Sequence, residues 1–247
     1  MYCYIYDEFI QDKRFERELL KIENRLTDLD IAGKVLRLAL FRNAEEMIRD
    51  EVRRGVTTVV AVGNDVTVRK VLDAVADSGV TFGVIPLGNE NDLAGLLGVP
   101  EGVAACDVLS ARIVEQIDVG TINGRRFITG VSCPNFNAEL SYEGNYRISP
   151  KCISELEIRN LCNQETSDTN SDPCDGYLET IIRVANPSGW FRRKRIGKSV
   201  LPTKNIAIRS DKPLAVFADG EELISTRFDI GIEPNLLKII TGRGRGF

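Results

Sequence analysis

Twice within the first hundred residues an apolar, β-rich run passes directly into a helical pattern through a short polar turn. TTVVAVG, ending at Gly63, leads into NDVTVRKVLDAVADSG, and FGVIPLG, ending at Gly88, leads into NENDLAGLLG before Pro100. Such runs read as buried strands. Strands alternating with helices of this length build βαβ units and a parallel, doubly wound sheet. The surrounding sequence agrees. CYIYDEF and VLRLAL read as further strands. Between them Phe15, Leu19, Ile22, Leu26 and Leu29 recur at three and four, predicting a helix from Lys13 to Leu29. Asn43 is placed to cap a helix running to Arg54, with Gly55 as its stop.

After Ala111 the pattern changes to short alternating segments separated by turn residues. TINGRR carries an Asn-Gly hairpin signal, SDKP and ADGEE read as further turns, and NQETSDTNSDPCDG has no periodicity and reads as a mobile loop. The expected class is α/β, with an N-terminal doubly wound parallel sheet and a C-terminal antiparallel, sandwich-like β-rich domain. The expected division is residues 1–113 as an α/β nucleotide-binding-like domain and 114–235 as the β-rich domain. Residues 236–247 then form a strand and a frayed basic tail that returns to the first domain.

Composition narrows the chemistry. The chain of 247 residues has no histidine, which excludes Ser-His-Asp triads, Cys-His nucleophiles and histidine-ligated metals. Its six cysteines form no C-x-x-C pair and read as small, reduced filler residues. A net charge of -4 argues against nucleic acid as a partner. No stretch approaches the roughly 20 apolar residues that span a bilayer. MYCYIYDEF lacks the layout of a secretory signal, so a cytoplasmic location is expected.

The two turns lie where doubly wound sheets bind ligands, beyond the carboxyl ends of strands. Each runs into a helix N-terminus, whose unpaired N–H groups and dipole favour an anion. In Gly63–Thr67 and Gly88–Asp92, Thr67 and Asn91 can donate to phosphate or sugar oxygens, and Asp65 can bind Mg²⁺. Each of Asp65, Thr67, Asn91 and Asp92 can equally serve as a helix cap. Trp190–Lys198, WFRRKRIGK, sets five basic residues beside two aromatics, a pattern suited to a peripheral membrane contact or to a solvated hairpin.

The pair of turns resembles the diacylglycerol kinase catalytic family of lipid kinases, related more distantly to NAD kinases. Gly63, Asp65 and Thr67 match the family's Gly-Gly-Asp-Gly-Thr motif. Pro86, Leu87, Gly88, Asn91, Asp92, Ala94, Leu97, Gly98 and Pro100 match its second motif. IDVGTINGRRFI resembles the opening of the family's β-rich domain, and Asp219, Gly220 and Glu221 match its late acidic turn. The resemblance implies ATP- and Mg²⁺-dependent phosphorylation of a lipid hydroxyl such as that of diacylglycerol, at a membrane surface. It implies nucleotide contacts from Gly63, Asn64, Thr67, Gly88, Asn91 and Asp92. Asp65 and Asp219 would be metal ligands, and Glu221, with Asp65, catalytic.

Four substitutions depart from the motifs: Asn64 and Val66 stand for glycine in the first, Asn89 and Glu90 for threonine and glycine in the second. β-Branched Val66 is expected to resist the positive φ that glycine allows. A Glu90 carboxylate at ~5 Å from phosphate would cost about 3 kcal/mol at an effective dielectric near 20, or about two orders of magnitude in affinity. A catalytically inactive pseudokinase-like protein that binds nucleotide, lipid or protein is therefore the competing expectation. The oligomeric state stays open.

Overall fold

In the computed structural model the described residues are 1–38, 44–144, 146–150, 152–164, 171–185 and 196–247. They form two compact units, residues 1–117 with 236–247, and residues 118–235. In the first unit, strands β1 (Tyr2–Tyr6), β2 (Lys34–Arg37), β3 (Thr58–Gly63) and β4 (Thr81–Pro86) lie parallel in the order β2–β1–β3–β4. All six residues of β3 and of β4 are buried, as expected for central strands of a sheet covered on both faces. The helices are α1 (Lys13–Asp28), α2 (Ala44–Arg53), α3 (Asp65–Ser78), α4 (Asp92–Leu96) and α5 (Ala105–Ala111). Asp12 caps α1 through the Arg14 N–H, and Gly79, at φ 65°, closes α3.

The second unit is antiparallel. Its strands are β5 (Ile113–Ile122), β6 (Arg125–Phe127), β7 (Gly130–Phe136), β8 (Glu139–Tyr142), β9 (Tyr146–Ile148), β10 (Ser154–Arg159), β11 (Leu178–Ala185), β12 (Ile196–Thr203), β13 (Asn205–Ala218) and β14 (Glu221–Thr241). β12, β11, β10, β7, β13 and β14 are neighbours in that order, while β8 and β9 continue from the other half of β13. Phe127, Phe136, Phe228, Ile158, Ile208 and Val216 centre its core. Asn123 and Gly124 make the β5–β6 hairpin turn, with φ 49° and 80°. At its far end β14 passes into the first unit, where Lys238 and Ile239 pair in parallel with Thr81 and Phe82 of β4.

Three expectations change. SDKP is not a turn: β13 runs through residues 210–213, and its register against β14 shifts between Arg209 and Leu214. Pro213, which has no N–H, falls in the irregular stretch where no ladder bond is required of it. Residues 242–247 are not frayed, because Gly242 and Gly246 donate backbone hydrogen bonds to Leu97 and Leu96. The polar loop is anchored where it is described: Asp118 accepts from the Gly176 N–H at 2.7 Å and donates its own N–H to Pro173 O. Asn43, residues 165–170 of that loop and most of the Trp190–Lys198 segment lie outside the described residues. Among the described residues no helix is long and apolar enough to cross a membrane. Cys3, Cys106 and Cys133 are buried, and burial pushes the Cys3 thiol to about 12 and that of Cys106 to about 11, which suits filler rather than nucleophiles.

Candidate functional site

The strand order reverses between β1 and β3, and a switch point of this kind opens a crevice at the carboxyl ends of the two strands. Asp7 stands just past β1, and the turn at Gly63 ends β3. Asp7 is only 1% exposed. Its carboxylate accepts from Thr67 Oγ1 at 2.8 Å, from Lys70 Nζ at 2.9 Å to both oxygens, and from the Glu8 N–H at 2.6 Å. Burial alone would raise its pKa, but these donors together hold it below the usual carboxylate range. Thr67 in turn accepts from the Asn64 N–H, while Asn64 Oδ1 accepts from the Thr67 N–H, a reciprocal capping box at the start of α3. A Cβ on Gly63 would sit 2.1 Å from Thr67 Oγ1, so this box requires glycine there.

The second turn is laced to the first. Leu87 donates to Gly63 O, Asp65 N to Glu90 O, and Asn64 Nδ2 to Asn89 O, at 2.8, 2.9 and 3.1 Å. The Asp65 carboxylate accepts from the Asp92 N–H at 2.9 Å and from that of Leu93 at 3.4 Å, so it caps α4. Burial raises its pKa to about 6, against the opposing effect of those two N–H groups. Asn91 Nδ2 closes the turn on Gly88 O at 2.9 Å. Gly88 sits at φ 87°, and a Cβ there would come 2.9 Å from the Phe9 ring.

The positive-φ burden falls elsewhere than the motif comparison suggests. Asn64 is extended at φ -118°, and Val66 lies in the first turn of α3, so neither needs a glycine's freedom. Glu90 does occupy the left-handed region, at φ 66°, and is exposed.

In the other unit, Asp219 turns the β13–β14 corner at φ 45°. Its carboxylate accepts the N–H groups of Ile128, Thr129 and Gly130 at 2.7, 2.8 and 3.1 Å, and the Thr129 hydroxyl. Glu221 follows, half exposed and ion-paired with Arg125 at 2.7 Å. A cavity of about 430 Å³ opens beside this corner, lined in part by Thr129, Glu157, Arg159, Cys162, Phe217 and Asp219. Among the described residues no group of three or more acidic or cysteine side chains is arranged to hold a metal ion. Asp65 and Asp219, the two expected ligands, both accept backbone N–H groups.

The structure thus brings Gly63, Asn64, Asp65, Thr67, Gly88, Asn91 and Asp92 together in the first unit, and Asp219 with Glu221 in the second. Sequence reading missed Asp7, Lys70 and Arg125. The position of Asp7 at the carboxyl end of the first strand was the available signal for it. Lys70 and Arg125 carried none, since each is one basic residue among many.

Residues 2–122 match the diacylglycerol kinase catalytic domain. That stretch, just under half of the chain, is similar to the family. Within it, the chain is 33% identical over 105 residues to the diacylglycerol kinase of Bacillus subtilis (strain 168), covering 41% of this chain and 34% of the relative. A probable YegS-like lipid kinase of Pseudomonas aeruginosa (strain UCBPP-PA14) is 33% identical over 88 residues, 35% of this chain and 29% of that one. The matched stretch therefore spans about a third of these relatives' length. A diacylglycerol kinase structure from Bacillus anthracis str. Sterne has the same fold, with a TM-score of 0.78 over 99% of this chain and 97% of that one, at 18% identity. The diacylglycerol kinase-type domain of this chain thus carries both laced turns, and its fold is α/β, with parallel strands first and antiparallel strands after.

Proposed function

We propose that this chain is a lipid kinase-type phosphotransferase, moving the terminal phosphoryl group of ATP to the hydroxyl of a diacylglycerol-like lipid, with weak affinity for the nucleotide. The observation that carries this reading is the lacing of two turns at the carboxyl ends of β3 and β4, where such sheets bind ligands; in the second of them Glu90 sits at φ 66°. The second turn keeps the backbone conformation of a glycine after the glycine itself has gone, at a cost of about 1–2 kcal/mol for an L-residue. In this reading Gly63, Asn64, Thr67, Gly88, Asn91 and Asp92 surround the nucleotide.

Glu221 takes the proton of the lipid hydroxyl as its oxygen bonds to the γ-phosphorus. The bond from that phosphorus to the bridging oxygen breaks, and ADP leaves with the electron pair. The Arg125 ion pair engages one carboxylate oxygen of Glu221 and must open only if the proton goes to that oxygen. Asp65 and Asp219 are not joined, among the described residues, by enough further acidic or cysteine side chains to hold a resident Mg²⁺.

One observation favours the second reading, a pseudokinase. The Asp65 carboxylate already occupies the N–H groups of Asp92 and Leu93 that an anion would use. Calorimetric titration of ATP with Mg²⁺, followed by transfer of labelled phosphate to diacylglycerol in mixed micelles, decides between them. Binding in the micromolar to low-millimolar range with transfer that Glu221→Gln abolishes supports the kinase. Binding without transfer supports the pseudokinase, and no binding at all removes nucleotide from both readings.

A further inference from the structure

The helix that begins at the second turn is too short to stand alone: α4 has five residues, and isolated helices of that length do not persist in water. Its N-terminal end is held by Asp65. At its other end the carbonyls can be accounted for one by one. Leu93 O accepts from Leu97 N, Gly95 O from Gly98 N, and Ala94 O from Val99 N at 2.8 Å. The last two bonds, with Gly98 at φ 68°, make a Schellman closure. Two carbonyls are left over, those of Leu96 and Leu97. Both are met by the Gly-Arg-Gly-Arg-Gly segment, through Gly246 N and Gly242 N at 2.8 Å each.

The fit is close on both sides. A Cβ on Gly242 would lie 1.9 Å from Gly98 O, and one on Gly98 would lie 2.6 Å from Arg245 N. Arg245 is tied to Glu115 by a 2.9 Å ion pair, and its guanidinium lies over the Phe247 ring. The segment is thereby secured to a strand other than the one it leaves.

We propose that residues 242–246 are a clasp that completes the C-terminal cap of α4 and so positions the candidate nucleotide turn at the helix's other end. Gly242 and Gly246 act here as positioning residues through their N–H groups. The link to nucleotide rests on the proposed function; the clasp itself does not.

The test compares the full chain with a variant stopped after Thr241 and with Gly246→Pro, which removes one donor and leaves the rest of the segment in place. Amide hydrogen exchange is read across residues 92–99, with α3 as the internal reference, and ATP affinity is read by calorimetry. Exchange at Asp92, Leu93, Gly98 and Val99 is expected to quicken about tenfold in both variants, with α3 unchanged. ATP affinity is expected to fall about tenfold in step. Unchanged exchange overturns the clasp. Faster exchange with unchanged ATP affinity leaves a cap and overturns the positioning role. If the truncated chain unfolds throughout, Gly246→Pro decides by the same criteria. If the full chain binds no ATP, the proposed function and the link to nucleotide both fail, while the exchange measurement still decides the cap.

Discussion

Glu90 and Glu179 show how far single side chains stand from what their types suggest. Replacing Glu90 by glycine relieves about 1–2 kcal/mol of left-handed strain and adds about 0.5–1 kcal/mol of unfolded-state entropy, so stability should rise by about 0–1.5 kcal/mol. The same change removes a carboxylate from the candidate phosphate turn; because Glu90 is exposed and screened by solvent, ATP affinity measured by calorimetry should rise about tenfold rather than the roughly hundredfold of an unscreened charge. An unchanged affinity would mean that this charge lies away from the ligand. Glu221→Gln should lower phosphate transfer by about 10²–10⁴-fold with the melting temperature nearly unchanged, since the side chain is half exposed.

Glu179 sits in the other unit, 8% exposed. Burial pushes its pKa to about 7, against the Ser171 hydroxyl bond and helped by the charges of Asp175 and Asp172. A neutral Glu179 is also compatible with the bonds around it. Ser171 Oγ lies within reach of both Asn160 O and Glu179 Oε2, and its single proton can serve only one. A neutral Glu179 that donates to Ser171 while Ser171 donates to Asn160 O satisfies both bonds. Because the folded pKa lies above the unfolded one, this contribution is complete below about pH 4.5 and is lost as pH rises through about 7. Glu179→Gln should therefore stabilise the protein at pH 8 by on the order of 2–3 kcal/mol and change little at pH 4.5. Denaturant melts at the two pH values check this, and equal effects at both would contradict it.

At the level of elements, the periodic and β-branched runs were legible because local pattern decided them. The helix expected from Lys13 to Leu29 is α1, ending one residue earlier, and TTVVAVG is β3 apart from its first residue. The buried strands needed only their composition to be seen. α5, in contrast, drew no reading from the sequence, since residues 105–111 are a short, weakly amphipathic run whose burial of Ala105, Cys106 and Leu109 comes from packing. SDKP looked like a turn because turn residues usually signal one, yet β14 pairs with β13 on both sides of the register shift and carries the strand through. The capping box at α3 is likewise a local device. Asn64→Ala should cost about 1 kcal/mol by thermal melting, and a larger loss would indicate that the lacing to Asn89 O matters more than the cap.

For the whole molecule, the family match ends at residue 122, but the first unit does not. A fragment of residues 1–122 would lack the end of β14, leaving β4 as an uncovered sheet edge formed by six buried residues. Such a fragment should aggregate or fold poorly, and adding residues 236–247 through a flexible linker should restore a cooperative melt by circular dichroism. A soluble, two-state 1–122 fragment would overturn this. The sequence by itself determined the parallel and antiparallel halves, the order of the motifs and the residues that gather at the two turns, because hydrophobic period and turn chemistry act over a few neighbours. Only the tertiary structure decided what those residues do there. Asp65 holds α4, Asp219 holds the backbone of residues 128–130, and a glycine-arginine run that looked loose closes a helix end. Each depends on N–H and C=O groups brought together from distant parts of the chain, and a linear pattern does not record which donors remain for a ligand.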